Sequence, residues 1–533
     1  MRLDAQIEES RSPDWKYAAI VFAFQIPGLI WAAWIFQDAL NPDGVAYLRI
    51  AWRCAHGQFG AAISGNWGPV ISWLMAPLLL AGVPPLAAAR GVMALSAIIF
   101  LLGCWRIFSR AILAGRLFHW GLWSMAFLSI LWSVEVITPD LLLAGVLLFA
   151  VAETLAGGWC LRPGTAFRSG LLLGLAFLIK AVGLPVGILT CLGIAALRWR
   201  KGPGTHLEVA RSLGLTLAGI ALAGGPWVAV LSSHCGKLTV SRSVSHTHGM
   251  VGPSVSVPVL LLDQGFRQPE PGQITIWEDP PLPYPDWSPW ANWRNAAHQM
   301  KVIGHNTPIV LSMLVHICVA LPILVVIALF WPGKFRTHPD DGANRAWFLL
   351  PVAIMAFLYL PNYLMPGELR YFYAAAPLLY VGGAALLLRD WCRRRPLRWR
   401  YGAPVLAATL LIPALFRFTF ETYPTVLAGE YAHLLADRIT ECGLAAPVAG
   451  SGMLPGGRAG LYTAFLIGQP WLGDERSPRA ADFRSSGAGL IVVDRGTRIA
   501  QELAEDPTFR NLDGLLFPPG QDTQFPLQVF GRK

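Results

Sequence analysis

The sequence predicts an α-helical multi-pass membrane protein, with about eleven transmembrane helices, that ends in a small extracytoplasmic α/β domain. Three observations carry this. Of 533 residues, 54% are hydrophobic and only 14% charged, where an ordinary soluble domain has roughly 25% charged. Apolar runs of about 20 residues recur along the first ~420 positions, long enough to cross the hydrocarbon core as helices that satisfy their own backbone amides. After Thr419 the runs shorten, and about 23 charged residues fall among about 113.

The elements follow in order. Residues 1–16 carry Arg2, Arg11 and Lys16 and form a cytoplasmic amino terminus. The first span, near Tyr17 to Phe36, is too long for a signal-peptide core and stays as an anchor. Later spans lie near Leu86 to Phe108, Leu113 to Leu131, Pro139 to Leu155, Gly170 to Ala181, Leu184 to Leu197, Leu213 to Leu231, Pro308 to Trp331, Trp347 to Tyr363, Phe372 to Leu388 and Ala403 to Phe416. The transmembrane domain therefore covers 17–419. Alternate loops hold the basic clusters: Arg110 and Arg116; Arg162 and Arg168; Arg198, Arg200 and Lys201; Lys334 and Arg336; Arg393 to Arg395, Arg398 and Arg400. The positive-inside rule then puts the loops 37–68 and 232–306, and the soluble α/β domain at 420–533, on the outer face. Within that domain the run Gly489 to Val493, bounded by Gly and Asp, reads as a strand.

Composition also excludes function classes. The 42 Lys and Arg against 32 Asp and Glu give a net charge of +10, but this excess sits in short clusters between apolar runs. That is the pattern of cytoplasmic membrane loops rather than of a nucleic-acid groove. The cysteines are scattered without CxxC spacing. No GxGxxG follows a strand, and no fixed repeat is visible.

Polar residues at the expected outer face are the candidates for chemistry. Asp43 opens the first outer loop in the turn sequence NPDG, either as a turn residue or as a functional acid. In the amphipathic stretch after it, Tyr47, Ile50 and Ala51 share one face, while Arg49 and Arg53 share another, which suits a helix along the membrane interface. Asp140 follows Pro139 at the outer end of the fourth span, where it also suits a helix start. Lys180 lies in an apolar span, where a charge is costly unless it meets a partner, a wet cavity or the interface. Arg370 sits beside Glu368 and Tyr371 in a short outer loop, as a local ion pair or as an anion ligand. These positions are distant in sequence, yet the topology draws them to one face. Carboxylates with Lys and Arg at a membrane surface are what a reaction on a lipid-linked phosphate needs.

The loop from Ser232 adds His246 and His248, a weak metal signal without a spaced third ligand. A divalent cation is accordingly the one cofactor left open. Trp277, Trp287, Trp290 and Trp293 suit either sugar stacking or an interfacial belt. Glu278 and Asp279 are further acids in this Pro-rich loop, which reads as a lid over the site.

Taken in order, these segments resemble the GT-C superfamily of integral-membrane glycosyltransferases, which includes protein O-mannosyltransferases and lipid A aminoarabinose transferases. The pieces that carry the likeness are DGVAYLRIA from Asp43, the Trp-Gly-Pro stretch at Trp67 to Pro69, TPDLLLAG with Asp140, GLLLGLAFLIKAVGLP with Lys180, GGPWVAVL from Gly224 and LRYFYAAAPLL from Leu369. The resemblance implies a polyprenyl-phosphate sugar donor and an acceptor on a glycan, lipid or protein. It also implies a reaction on the periplasmic side of a bacterial inner membrane, with Asp43 as base. Lys180 and Arg370 would then bind the donor phosphate, and Asp140, Tyr47, Glu278 and Tyr371 would orient the acceptor or the other groups. The sequence departs from the pattern where several relatives have Asp-Glu and this chain has Asp43-Gly44, and where the aminoarabinose transferases carry a Lys near Trp67. A transporter or lipid flippase would also bury rare charges, but it predicts matching broken helices in two halves, which are not found. A catalytically silent scaffold of the same fold is the third reading.

Overall fold

The computed structural model describes residues 15–110, 116–155, 158–201, 205–255, 265–280, 284–320, 364, 368–383, 399–451, 455–475, 477–518 and 525–533. Helices dominate. The apolar runs become α1 (Trp15–Ile35), α4 (Pro85–Arg110), α5 (Arg116–Glu135), α6 (Asp140–Leu155), α7 (Pro163–Ile179), α8 (Gly183–Lys201) and α9 (His206–Cys235). They are preceded or joined by the shorter α2 (Pro42–Ala55) and α3 (Val70–Leu80), and followed by α10 (Trp293–Ile317), α11 (Ala375–Gly383), α12 (Trp399–Arg417) and α13 (Tyr423–Glu441). Among the described residues, five helices are long and apolar enough to cross a membrane, namely α1, α4, α5, α9 and Gly402–Phe420. The expected span at Trp347 to Tyr363 lies outside the described residues, as do parts of those at Pro308 to Trp331 and Phe372 to Leu388.

Two features differ from the sequence expectation. The apolar stretch Val70–Leu80 is a helix of 11 residues, too short to cross a bilayer at 1.5 Å per residue. Lys180 is not inside its span but caps it, with an extended backbone (φ −156°) that breaks α7 from α8. The turn is closed by the Gly183 amide donating to the Lys180 carbonyl at 2.8 Å.

The helical core is knitted by close approach and by buried polar pairs. On α7 the sequence GLLLG faces α9: a Cβ on Gly170 would lie 2.1 Å from the Thr216 carbonyl oxygen, and one on Gly219 would lie 2.6 Å from that of Phe167. Small residues let the two backbones touch where apolar burial gives little drive, because lipid is as apolar as Leu. Gln25 in α1 donates to the Ala97 carbonyl (3.1 Å) and to Ser129 Oγ (2.8 Å), so one amide ties three helices together.

The carboxy-terminal part holds a five-stranded mixed sheet of order β2-β1-β3-β5-β4. Its strands are β1 (Val448–Ser451), β2 (Trp471–Glu475), β3 (Leu490–Asp494), β4 (Phe509–Asn511) and β5 (Leu527–Arg532). The first three run parallel and β5 runs antiparallel to β3 and β4. The GLIVV run is the buried central strand β3, and its continuous apolar pattern reflects cover on both faces.

The segment 265–280 links this sheet to α2. Arg267 N donates to the Leu472 carbonyl (2.6 Å) and Trp471 N to the Ile274 carbonyl (2.6 Å), so the segment lies along the edge strand β2. Between those two bonds, Arg49 and Arg53, on one face of α2, both donate to the Gly272 carbonyl at 3.1 Å. Arg53 also pairs with Glu278 at 2.8 Å and Arg49 approaches it at 3.7 Å. Burial pushes the Glu278 carboxyl above the ordinary range, against the pull of Arg53, Arg49 and the Ile274 and Thr275 amides.

Two outcomes follow from this packing. Gly170→Leu should destabilise the folded protein by about 1–3 kcal/mol through overpacking, read as a lowered melting temperature in detergent. Gly164→Ala, where an added Cβ meets nothing within 4 Å, should melt like the parent. Glu278→Ala should cost about 3–5 kcal/mol, because it leaves Arg53 buried without its carboxylate; limited proteolysis should then cut between 265 and 280 faster than in the parent.

Candidate functional site

The site forms where the ends of α6 and α7, the start of α2 and the loop before α11 meet. Asn41 sets the first junction. It occupies the N-cap position of α2, yet its side chain makes no capping bond. Instead its Oδ1 accepts from the Ile137 amide (2.8 Å) and its Nδ2 donates to the Ile137 carbonyl (3.4 Å). This double bond pattern fixes Asp43, in the first turn of α2, beside the loop that leads into Asp140. Pro42 pre-sets the helical φ at that turn, and each acid lies at a helix start where the macrodipole favours a negative charge.

Asp140 is the buried centre, with its side chain 2% exposed. Thr138 Oγ1 donates to Oδ2 at 2.5 Å, and Lys180 Nζ donates to Oδ1 at 2.6 Å. Arg370 completes the set: Nη2 lies 2.7 Å from Asp43 Oδ2, and Nε lies 3.8 Å from Asp140 Oδ2 and 2.8 Å from Glu368. One guanidinium therefore stands between two acids from separate helices, hydrogen-bonded to Asp43 and in charge contact with Asp140. The Tyr371 ring lies 3.9 Å from Lys180 Nζ, a cation–π contact that supports the ammonium from its other side. Lys180 reaches this point because the chain breaks there. The approach is made tight by Gly68, where a Cβ would stand 2.1 Å from the Ile179 carbonyl oxygen.

A ring of aromatic groups closes the site on the side of α2. Trp277 Nε1 donates to Asp43 Oδ1 at 3.0 Å. Trp67 Nε1 donates to the Trp277 carbonyl at 2.8 Å, and its ring meets those of Trp277 (5.6 Å) and Tyr47 (5.1 Å) edge-on. Nearby, Tyr373 donates to Glu135 at 2.9 Å and stacks on Trp132, and Glu135 is paired with Arg417.

The structure thus brings together Asp43, Asp140, Lys180, Arg370 and Tyr371, with Tyr47 buried in the aromatic wall beside them. Glu278 is placed otherwise: its carboxylate is spent on Arg53, Arg49 and two backbone amides. Its neighbour Asp279 is likewise engaged, accepting from Ser64, the Gly65 amide and Arg242. Asn41, Thr138 and the Trp277 contact to Asp43 were missed in the sequence. Thr138 carried a local signal, two residues before an acid at a helix start; the other two contacts join residues about 100 and about 230 positions apart and carry none. Among the described residues, no group of three or more His, Cys, Asp or Glu is arranged to hold a metal.

No protein-family model and no curated protein matches the sequence. Solved structures do. The crystal structure of ArnT from Cupriavidus metallidurans bound to undecaprenyl phosphate aligns over 98% of this chain and 98% of that chain, at 14% identity and a TM-score of 0.57. The same protein in its apo state aligns over 97% and 98%, at 14% identity and a TM-score of 0.55. A likeness that spans both chains nearly end to end at so low an identity is one of architecture: this chain has the fold seen in those ArnT structures.

Proposed function

We propose that this protein is a membrane glycosyltransferase that moves a sugar from a polyprenyl-phosphate-linked donor to an acceptor hydroxyl at the outer face of a bacterial inner membrane. The observation that carries the reading is the network Lys180–Asp140–Arg370–Asp43, in which four charges from distant parts of the chain meet at the ends of apolar helices. Full-length likeness to a protein crystallised with undecaprenyl phosphate supports a polyprenyl phosphate as the leaving group. The basic loops favour about eleven spans, a cytoplasmic amino terminus, and 420–533 as a periplasmic domain.

The chemistry follows from the charges. The acceptor oxygen attacks the anomeric carbon, its proton passes to the Asp43 carboxylate, and the bond from that carbon to phosphate oxygen breaks. The leaving phosphate keeps the electron pair, and Lys180 and Arg370 offset its charge. General-base help of this kind acts chiefly once the hydroxyl has become acidic in the transition state. Without donor, both cations are satisfied by acids. An arriving phosphate competes with Asp43 for Arg370, which couples donor binding to release of the carboxylate oxygen that must take the proton. Asp140, fixed by Thr138, holds Lys180 in place, and Tyr371 and Tyr47 wall the pocket.

Asp43→Asn is expected to slow transfer about 10²–10⁴-fold with the fold intact. Mass spectrometry of cell-envelope components should then show one sugar lost and a sugar-phosphoprenol accumulating. Unchanged profiles from a folded, membrane-inserted variant would overturn the reading. Lys180→Met is expected to weaken binding of undecaprenyl phosphate to the purified protein and also to slow transfer, since charge on the departing phosphate peaks after bond cleavage. Wild-type affinity and rate together would remove Lys180 from the phosphate site.

A further inference from the structure

We propose that Trp277 is a positioning residue for this transfer, holding the Asp43 carboxylate in its working orientation through the indole N–H. The inference rests on the reading of Asp43 as the base. A carboxylate in the first turn of a helix can rotate, and a base that rotates presents its lone pair to the acceptor only part of the time. Here both oxygens are held from distant parts of the chain: Oδ2 by Arg370 at 2.7 Å and Oδ1 by Trp277 Nε1 at 3.0 Å.

The two contacts behave differently when a phosphate arrives. The guanidinium is drawn to the new anion, and its departure frees Oδ2 for the proton of the acceptor. The indole is neutral and donates a single directional bond, so it stays on Oδ1 while the other oxygen is exchanged. Atoms balance as before: the hydroxyl proton goes to Oδ2, the new C–O bond forms as the bond to phosphate breaks, and Trp277 gains and loses nothing.

Trp277 is built to be rigid. It stands in a short 3₁₀ turn, Ile276–Glu278, closed by a reciprocal capping arrangement between Thr275 and Glu278. The residue is 9% exposed and packs on Ala46 of α2, and its carbonyl is held by Trp67. Arg53 pins the next residue, Glu278. The acids of the Pro-rich loop therefore act as its fastening, and the tryptophan between the fastenings is the group that reaches the site.

The test uses the full chain in membrane vesicles, reading the rate at which label leaves the endogenous sugar-phosphoprenol pool, together with the affinity of the purified protein for undecaprenyl phosphate. Trp277→Phe keeps the ring and removes the N–H. It should slow transfer about 10- to 100-fold while affinity changes less than about twofold. In an Asp43→Asn background the same change should add no further loss, because the effect runs through that carboxylate. Trp277→His, smaller but keeping a ring N–H, should recover part of the rate. Wild-type transfer by Trp277→Phe, an equal loss in the Asp43→Asn background, or no recovery by Trp277→His would each overturn the proposal while leaving the base in place. Wild-type transfer by Asp43→Asn itself would overturn the base, and this proposal with it.

Discussion

A carboxylate buried as deeply as that of Asp140 cannot stay ionised alone, because removing it from water costs several kcal/mol that only close opposite charge and hydrogen bonds return. Much of the architecture answers that demand. The chain breaks at Lys180 so that an ammonium arrives at 2.6 Å, Thr138 turns its hydroxyl onto the second oxygen, and the loop after Glu368 brings a guanidinium between Asp140 and Asp43. Each partner comes from a different element, so the ends of α6 and α7, the start of α2 and the loop before α11 must meet at one point.

Such a network is weak evidence of stability. A buried ion pair often does no better than apolar groups of the same volume would. The helical core has apolar contact, glycine crossings and neutral amide bonds to hold it, as at Gly170 and Gln25. Charge is concentrated instead where the helices end. There, acids and cations from separate elements neutralise each other, and under the proposed function it is this balance that an arriving phosphate would shift, drawing Arg370 from Asp43.

Much of this was legible in the sequence, and what was not has a physical cause. Hydropathy located the first seven long helices, with ends off by up to seven residues, because apolarity marks each of them independently. The positive-inside pattern drew Asp43, Asp140, Lys180 and Arg370 to one face before any contact was known. The α2 helix was readable from its two faces, and its arginines sit four apart as expected, although their partner was hidden. Glu278 looked like a free acid because charge and position are local properties, while its pairing with Arg53 is not. Trp277 looked like one of four equivalent tryptophans for the same reason. Val70–Leu80 was passed over because an apolar run of 11 residues satisfies neither the length rule for a span nor the polarity of a loop.

The segment 265–280 has a second effect, on the sheet rather than on the site. Strand β2 is at the edge, and its outer row of amides and carbonyls would otherwise be open to pair with any extended chain. The bonds from Arg267 and to Ile274 cover the start of that row, at Trp471 and Leu472, with a piece of the same polypeptide. The piece comes from roughly 200 residues upstream, so during synthesis it is made well before the strand it protects. The sheet therefore acquires its guarded edge only as part of the whole chain. Residues 420–533 produced on their own would carry a bare parallel edge, with Trp471 and Leu472 beside it, and the natural outcome for such an edge is self-association.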